Sequence, residues 1–233
     1  MNKIYDKNLI HKYLNEYKLN CNLNKDLIAN MEIHNFKKGE MICCINTEMF
    51  YMYFLVQGKT KVYTMLSTGK SLLLCFNNPL SIMGDIEFTN NPLADCNVMA
   101  LEDCICLAIS INKIKMFGFN DPIFLRFIID SLGAKLRNNS IYSSINILYP
   151  LENRFASYLL SVMTSNTENN NIVHIEGLNH IAELLGTSYR HLNRVIKDLS
   201  DKKIIKKSKN LIIIYDLYKI KSLAQDIYNK NCT

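Results

Sequence analysis

Short hydrophobic runs separated by turn residues fill the first half of the chain, across residues 36–111. One run occupies residues 51–56, and a hairpin is predicted at Thr68-Gly69-Lys70, before the next apolar run at residues 71–76. Strands of this length and spacing are typical of a β-barrel or jelly roll. The helical pattern of residues 8–31 predicts short helices packed outside that barrel.

A long helical repeat follows, starting at Asp121-Pro122 and running toward Ile147. Proline is favoured in the first turn of a helix, and aspartate is favoured as its cap. The repeat has an apolar seam at three- and four-residue steps, made of Leu125, Ile128, Leu132 and Leu136. We interpret the seam as the contact of a two-fold dimer; the alternative is a helix lying flat on its own barrel.

Two shorter helices joined by a tight turn are predicted from Leu178 to Leu199, after a hinge at Tyr149-Pro150, a helix over residues 151–163 and a polar loop from Thr164. Gly186 can end the first helix in the left-handed conformation, and Ser188 can cap the second. On the second helix, five residues are predicted to lie along one solvent-facing side: Tyr189, Arg190, Asn193, Arg194 and Lys197. A helix with arginines in its first turns suits the DNA major groove, where arginine can bridge guanine O6 and N7. The alternative is an ordinary solvated pair of helices.

The segment after this helix pair resembles a wing. Residues 203–215 predict two strands around a turn at Ser208-Lys209-Asn210, which would carry Lys206, Lys207 and Lys209 toward phosphates. A last helix is predicted from apolar residues at helical spacing: Leu217, Ile220, Leu223, Ala224 and Ile227. The whole unit is then a winged helix-turn-helix.

Charge and composition agree with this division. The chain of 233 residues is 48% hydrophobic and has a net charge of +6. Residues 179–210 hold eight lysines and arginines against three acids, so they account for +5 of it. A basic cluster suits nucleic acid, although a solvated helix face can produce one too. No apolar run is long enough to span a membrane and no signal peptide is evident, so we expect a cytoplasmic protein.

The cysteine and histidine pattern argues against an enzyme. The eight cysteines form no CxxC pair, and in a reducing cytoplasm most are expected to be small buried side chains. Cys104 and Cys106 would share one strand face, where a metal or redox partner could reach them. A cupin-type metalloenzyme needs clustered histidines, but the barrel region has only His34. We predict no catalytic residues, no metal site and no cofactor.

In the order of its parts the chain resembles the Crp/Fnr superfamily of bacterial transcriptional regulators, and most of all its YeiL-like branch. The stretches that carry the resemblance are residues 36–40, 53–58, 84–88, 121–122, 181–198 and, for the branch, 104–108 and 185–192. It implies an α+β fold. A cyclic-nucleotide-binding-like jelly roll would occupy residues 1–119, a dimerisation helix 120–149 and the winged helix 150–233. It also implies a homodimer that binds an inverted-repeat operator and contacts RNA polymerase.

The resemblance implies that Tyr189, Arg190 and Arg194 read bases, with Ser188 and His191 near the DNA backbone. Cyclic-nucleotide members hold the phosphate with an arginine and a serine, but here that stretch reads Pro92-Leu-Ala-Asp-Cys. We therefore predict that cAMP is not the ligand. An unknown small-molecule effector could instead meet four residues: Gly84, Asp85, Asn139 and Ser140. A cysteine-redox or haem sensor and a regulator without an effector both stay open.

Overall fold

The computed structural model describes residues 2–65, 69–88, 92–163, 171–175 and 177–224. The contacts between Cα atoms divide the chain into two compact units, Met1–Val62 with Asn77–Asn138 and Tyr63–Phe76 with Asn139–Asn231. The predicted turn residue Thr68, the polar loop of residues 164–170 and the predicted helical position Ile227 lie outside the described ranges. Within those ranges, no helix is both long and apolar enough to cross a membrane.

Within the described ranges, nine strands build the two sheets of the jelly roll. The larger sheet has the order β1-β2-β9-β4-β7 and the smaller one the order β3-β8-β5-β6. The strands are β1 (Asn2–Ile4), β2 (Glu32–Phe36), β3 (Met41–Cys43), β4 (Tyr51–Gln57), β5 (Thr60–Met65), β6 (Ser71–Asn77), β7 (Ser81–Met83), β8 (Asn97–Ala100) and β9 (Cys104–Ser110). The predicted jelly roll is confirmed, and β1 adds a short edge strand that the apolar pattern did not predict.

Helices cover one face of the larger sheet. They are α1 (Lys7–Glu16), α2 (Lys25–Ala29), α3 (Ile111–Phe117) and α4 (Pro122–Leu148). Alternate residues of the sheet, among them Ile33, Phe54 and Leu107, form one buried cluster with Leu14 of α1 and Leu27 of α2. The short helices before Met31 therefore pack outside the strands, as their pattern predicts.

The apolar seam predicted on α4 is in part a contact with the chain's own core, and its role in a dimer stays a prediction. Ile128 is buried in the cluster beneath the larger sheet, and the half-buried Leu125 and Leu132 pack against the same cluster. Leu136, in contrast, is 70% exposed. Spacing defines an apolar face of a helix, but it does not say what covers that face. Here the chain's own sheet covers most of it.

The second unit holds the winged helix-turn-helix. Its elements are α5 (Leu151–Val162), β10 (Ile172–His174), α6 (Leu178–Leu184), α7 (Tyr189–Asp201), β11 (Ile205–Ser208), β12 (Leu211–Ile214) and α8 (Leu217–Ala224). The three strands form an antiparallel sheet in the order β10-β12-β11. Arg154 of α5 donates from Nη1 to the carbonyl oxygen of Leu185 at 2.6 Å, so this side chain fixes α5 against the end of α6.

Candidate nucleic-acid interface

The turn between α6 and α7 has the predicted local geometry. Gly186 adopts φ +61°, a left-handed conformation that glycine enters without a Cβ penalty. The Thr187 amide donates a hydrogen bond to the carbonyl of Ala182 at 2.9 Å, and the Ser188 hydroxyl accepts one from the His191 amide at 3.2 Å. The cap on α7 and the left-handed residue after α6 hold the two helices in a fixed relation.

Helix α7 separates an apolar face from a polar one. Its inward residues are buried: Leu192, Val195, Ile196 and Leu199. The predicted outward residues are all exposed, with Tyr189 at 47%: Tyr189, Arg190, Asn193, Arg194 and Lys197. His191 is exposed as well, and its Nδ1 lies 3.4 Å from the Thr187 hydroxyl. The helix therefore presents two guanidinium groups and a phenol from its first turns.

The wing brings lysines beside that helix. Lys206, Lys207 and Lys209 are exposed on β11 and the turn that follows it. An open cleft of about 430 Å³ runs between the wing and the starts of α6 and α7, lined by Ile175, Gly177, Leu178, Asn179, His180, Tyr189, Lys207, Lys209 and Asn210. The predicted residues Tyr189, Lys207 and Lys209 thus share one cleft, while Lys206 does not line it.

Three polar residues of this cleft were missed by the sequence analysis. Asn179 and His180 lie in the first turn of α6, and Asn210 lies at the tip of the wing. The Asn210 carbonyl accepts from the Ile175 amide at 2.8 Å, which ties the wing to the segment before α6. The sequence pattern did not reveal β10, whose three residues are too few to show the alternation of a strand. Without this strand the segment before α6 could not be placed beside the wing.

Asp85, predicted to line an effector pocket, is held by α4. This carboxylate is 1% exposed and accepts from Lys135 Nζ at 2.6 Å and from the Ser131 hydroxyl at 3.2 Å. Lys135 also donates to the carbonyl of Ile82 at 2.7 Å. Ser131 and Lys135 stand four residues apart on one helix face, which is the only sequence signal for this contact.

The other predicted pocket residues have different surroundings. Gly84 has φ +92°, and a Cβ there would lie 2.9 Å from the carbonyl oxygen of Tyr51, so close backbone packing requires glycine. Asn139 and Ser140 are exposed and fall in the second unit. Their role as effector contacts stays a prediction.

The segment that holds the phosphate in cyclic-nucleotide binders offers no cation here. Ala94 is 1% exposed, and its amide donates to the carbonyl of Thr47 at 2.9 Å. Glu87 is also buried, and burial raises the pKa of this carboxyl, with the nearby Asp85 raising it further. The one ammonium group described beside these carboxyls, that of Lys135, is already bonded to Asp85.

Burial accounts for the two cysteines of the larger sheet. Cys104 and Cys106 are both buried, which corrects the prediction that a partner could reach them from one face. Burial raises the pKa of Cys104 and of Cys96 to about 11, so both remain thiols at neutral pH. Among the described residues, no three histidine, cysteine or acidic side chains are grouped to hold a metal ion. His34, 0% exposed, instead bonds Glu32 at 2.8 Å through Nε2.

Known proteins match both parts of the chain. The family model of the cyclic nucleotide-binding domain matches residues 33–119, and that of the Crp-like helix-turn-helix domain matches residues 153–223. The regulatory protein YeiL of Escherichia coli O157:H7 is 27% identical over 88% of this chain and 91% of its own. The cAMP-activated global transcriptional regulator CRP of Pasteurella multocida is 20% identical over 81% of this chain and 92% of its own. A solved structure of a Crp/Fnr-family transcriptional regulator from Eubacterium rectale covers 91% of this chain and 99% of its own, with a TM-score of 0.79 and 17% identity.

A jelly roll, a long helix and a winged helix-turn-helix with a basic outer face define a DNA-binding transcriptional regulator. The chain belongs to the Crp/Fnr superfamily and is similar to YeiL within it. The fold and the family predicted from the sequence are confirmed. Because the proteins that it matches are transcriptional regulators, its class is that of a regulator and not of an enzyme.

Proposed function

We propose that this regulator binds an inverted-repeat operator as a homodimer and reads bases with Tyr189, Arg190 and Arg194. The observation that carries the proposal is the exposed stripe of α7 beside a cleft lined by Lys207 and Lys209. Arginine can make two hydrogen bonds to a guanine edge, whereas lysine on a wing meets phosphates of any sequence. Base reading and backbone anchoring thus fall to different elements.

The remaining predicted contacts take backbone roles. Ser188 and His191 lie at the first turn of α7, where they would meet phosphates beside the groove. The Ser188 hydroxyl already accepts the capping bond, so it has its proton left to donate to a phosphate oxygen. Lys206 would add positive charge to the wing and so strengthen its attraction to the DNA phosphates.

An exposed heptad face on α4 supports the dimer. It follows steps of four and three residues, and its members are Ile129, Gly133, Leu136, Ser140, Ser143 and Ile147. Ile129, Leu136 and Ile147 are 65%, 70% and 81% exposed, and Gly133 adds no side chain between them. Two copies of this face can pack as a coiled coil with close approach at the small residues. This face replaces the seam assigned from the sequence.

Two-fold pairing sets the operator geometry. Recognition helices related by a dyad reach successive major grooves on one side of DNA, so the half-sites should be centred about 34 Å apart. The partners are then double-stranded DNA, a second copy of the chain and RNA polymerase, with no membrane. Bacterial DNA lies in the cytoplasm, and we place the protein there. The proposed functional division is a jelly-roll domain at residues 1–119, a dimerisation helix at residues 120–149 and a winged helix at residues 150–233.

We propose further that cAMP is not the effector. Asp85 is already paired with Lys135, and the neighbouring segment supplies no arginine for a phosphate. An unknown small molecule that reached Gly84 and Asp85 would compete with Lys135, and Asn139 and Ser140 remain candidate contacts for it. Calorimetric titration with cAMP should give no binding heat, and saturable binding would contradict this proposal.

Selection of bound duplexes from a random DNA pool tests the function. The expected product is an inverted repeat whose half-site is recovered in both orientations. A duplex with one half-site destroyed should then bind far more weakly than the intact one. Recovery of unrelated sequences with no shared half-site would contradict sequence-specific reading by this protein.

A further inference from the structure

The buried carboxylate of Asp85 is bonded on both of its oxygen atoms by side chains of α4. Oδ1 accepts from Lys135 Nζ at 2.6 Å, and Oδ2 accepts from the Ser131 hydroxyl at 3.2 Å. The ammonium group of Lys135 also donates to the carbonyl oxygen of Ile82, in the middle of β7. The chain itself therefore satisfies a carboxylate that is 1% exposed.

This contact and the proposed dimer face belong to the same turns of α4. Ser131 and Lys135 are four residues apart, so they lie on one side of the helix, the side that meets Asp85. Ile129 and Leu136 lie on another side and are 65% and 70% exposed. The bonds that hold Lys135 against the sheet therefore also fix the direction in which Ile129 and Leu136 point from the jelly roll.

Resting on the homodimer proposed above, we propose that the Lys135 side chain is a built-in ligand, which occupies an ammonium site at Asp85 and orients α4 for dimerisation, so that operator binding needs no effector. A buried carboxylate and a backbone carbonyl both accept hydrogen bonds, so the site selects a primary ammonium group and not an anion. The Lys135 side chain is 24% exposed. A small primary amine can therefore enter from solvent once the lysine is shortened.

Chemical rescue tests the built-in ligand in the full-length protein. Lys135→Ala removes the atoms of one propylammonium ion and leaves Asp85 without its cation. We expect the dimer dissociation constant, measured by sedimentation equilibrium, to rise at least about fivefold, the lower end of ordinary allosteric couplings. Propylammonium chloride should restore dimerisation and binding to a duplex selected with the wild type. Propanol or sodium chloride at the same concentration should restore neither.

Two further variants separate the site from a general loss of stability, with each protein assayed below its own melting temperature. Lys115→Ala removes the same atoms from an exposed position on α3, so it should dimerise like the wild type with or without the amine. Asp85→Asn keeps the shape of the side chain but removes its charge. It should weaken the dimer and stay insensitive to propylammonium, and it keeps the test open if Lys135→Ala fails to fold.

A folded Lys135→Ala or Asp85→Asn protein that dimerises like the wild type would overturn the built-in ligand, and so would rescue by propanol equal to that by propylammonium. Wild type that is unfolded in urea, dialysed and refolded should bind the operator as tightly, per folded protein, as protein that was never unfolded. Weaker binding would show that an effector had been lost. Failure of the proposed function looks different, because the wild type itself would then sediment as a monomer.

Discussion

Replacing Lys135 by methionine tests the contact between Asp85 and α4. Methionine keeps an apolar stem of similar length but removes the ammonium group that bonds Asp85 at 2.6 Å and the Ile82 carbonyl at 2.7 Å. The Asp85 carboxylate, 1% exposed, is then left buried with only the Ser131 hydroxyl at 3.2 Å. Breaking a buried pair on one side costs about 3–5 kcal/mol. The bond to Ser131 that remains favours the lower end, about 3 kcal/mol.

Thermal unfolding followed by circular dichroism measures this loss. For a chain of this length, about 3 kcal/mol corresponds to a melting temperature lower by about 6–12 °C. Lys37→Met is the matched control, because Lys37 Nζ also lies 2.6 Å from a carboxylate, that of Asp103, but both side chains are more than half exposed. An exposed pair is screened by water and contributes little to stability, so Lys37→Met should melt close to the wild type. Equal melting temperatures for the two variants would refute the reasoning.

Three further changes follow from the geometry. Burial raises the pKa of Glu87, so the unfolded chain releases the Glu87 proton more readily than the folded chain does. Glu87 therefore lowers stability at pH values above its ordinary pKa of 4.5. Glu87→Gln should raise the melting temperature at neutral pH but not below pH 4.5. A difference that persists in acid would contradict this cause. Gly84→Ala should destabilise the protein by at least about 1 kcal/mol more than Gly39→Ala in urea unfolding, because both have positive φ but a Cβ at Gly39 meets nothing within 4 Å. Equal losses would exclude the steric contact. Leu136→Glu places a charge on the proposed dimer face and should halve the mass found by sedimentation. An unchanged mass would show that this face is not the dimer contact.

The recognition surface could be predicted from the sequence because its determinants are local. Gly186 and Ser188 fix the turn through backbone conformation and capping, which depend on residues within a few positions. The buried and exposed sides of α7 follow from the 3.6-residue period alone. The structure shows these features as predicted, with Arg190 and Arg194 on the exposed side.

Long-range features could not be predicted in this way. Asp85 and Lys135 are separated by 50 positions, and only the packing of α4 on the sheet brings them together. The same packing turns Ile128 into a core residue, although its spacing alone suits a partner helix equally well. Tyr63 and His180 likewise meet only through tertiary structure.

The most direct test of base reading compares operator and random-sequence affinity for Arg194→Ala at one salt concentration. Loss of a two-bond contact to guanine should weaken operator binding by about 1–3 kcal/mol and leave random DNA nearly unaffected. Arg126→Ala, an exposed arginine of α4, is the control and should change neither affinity. Equal weakening on operator and random DNA would make Arg194 a phosphate contact and contradict the central claim.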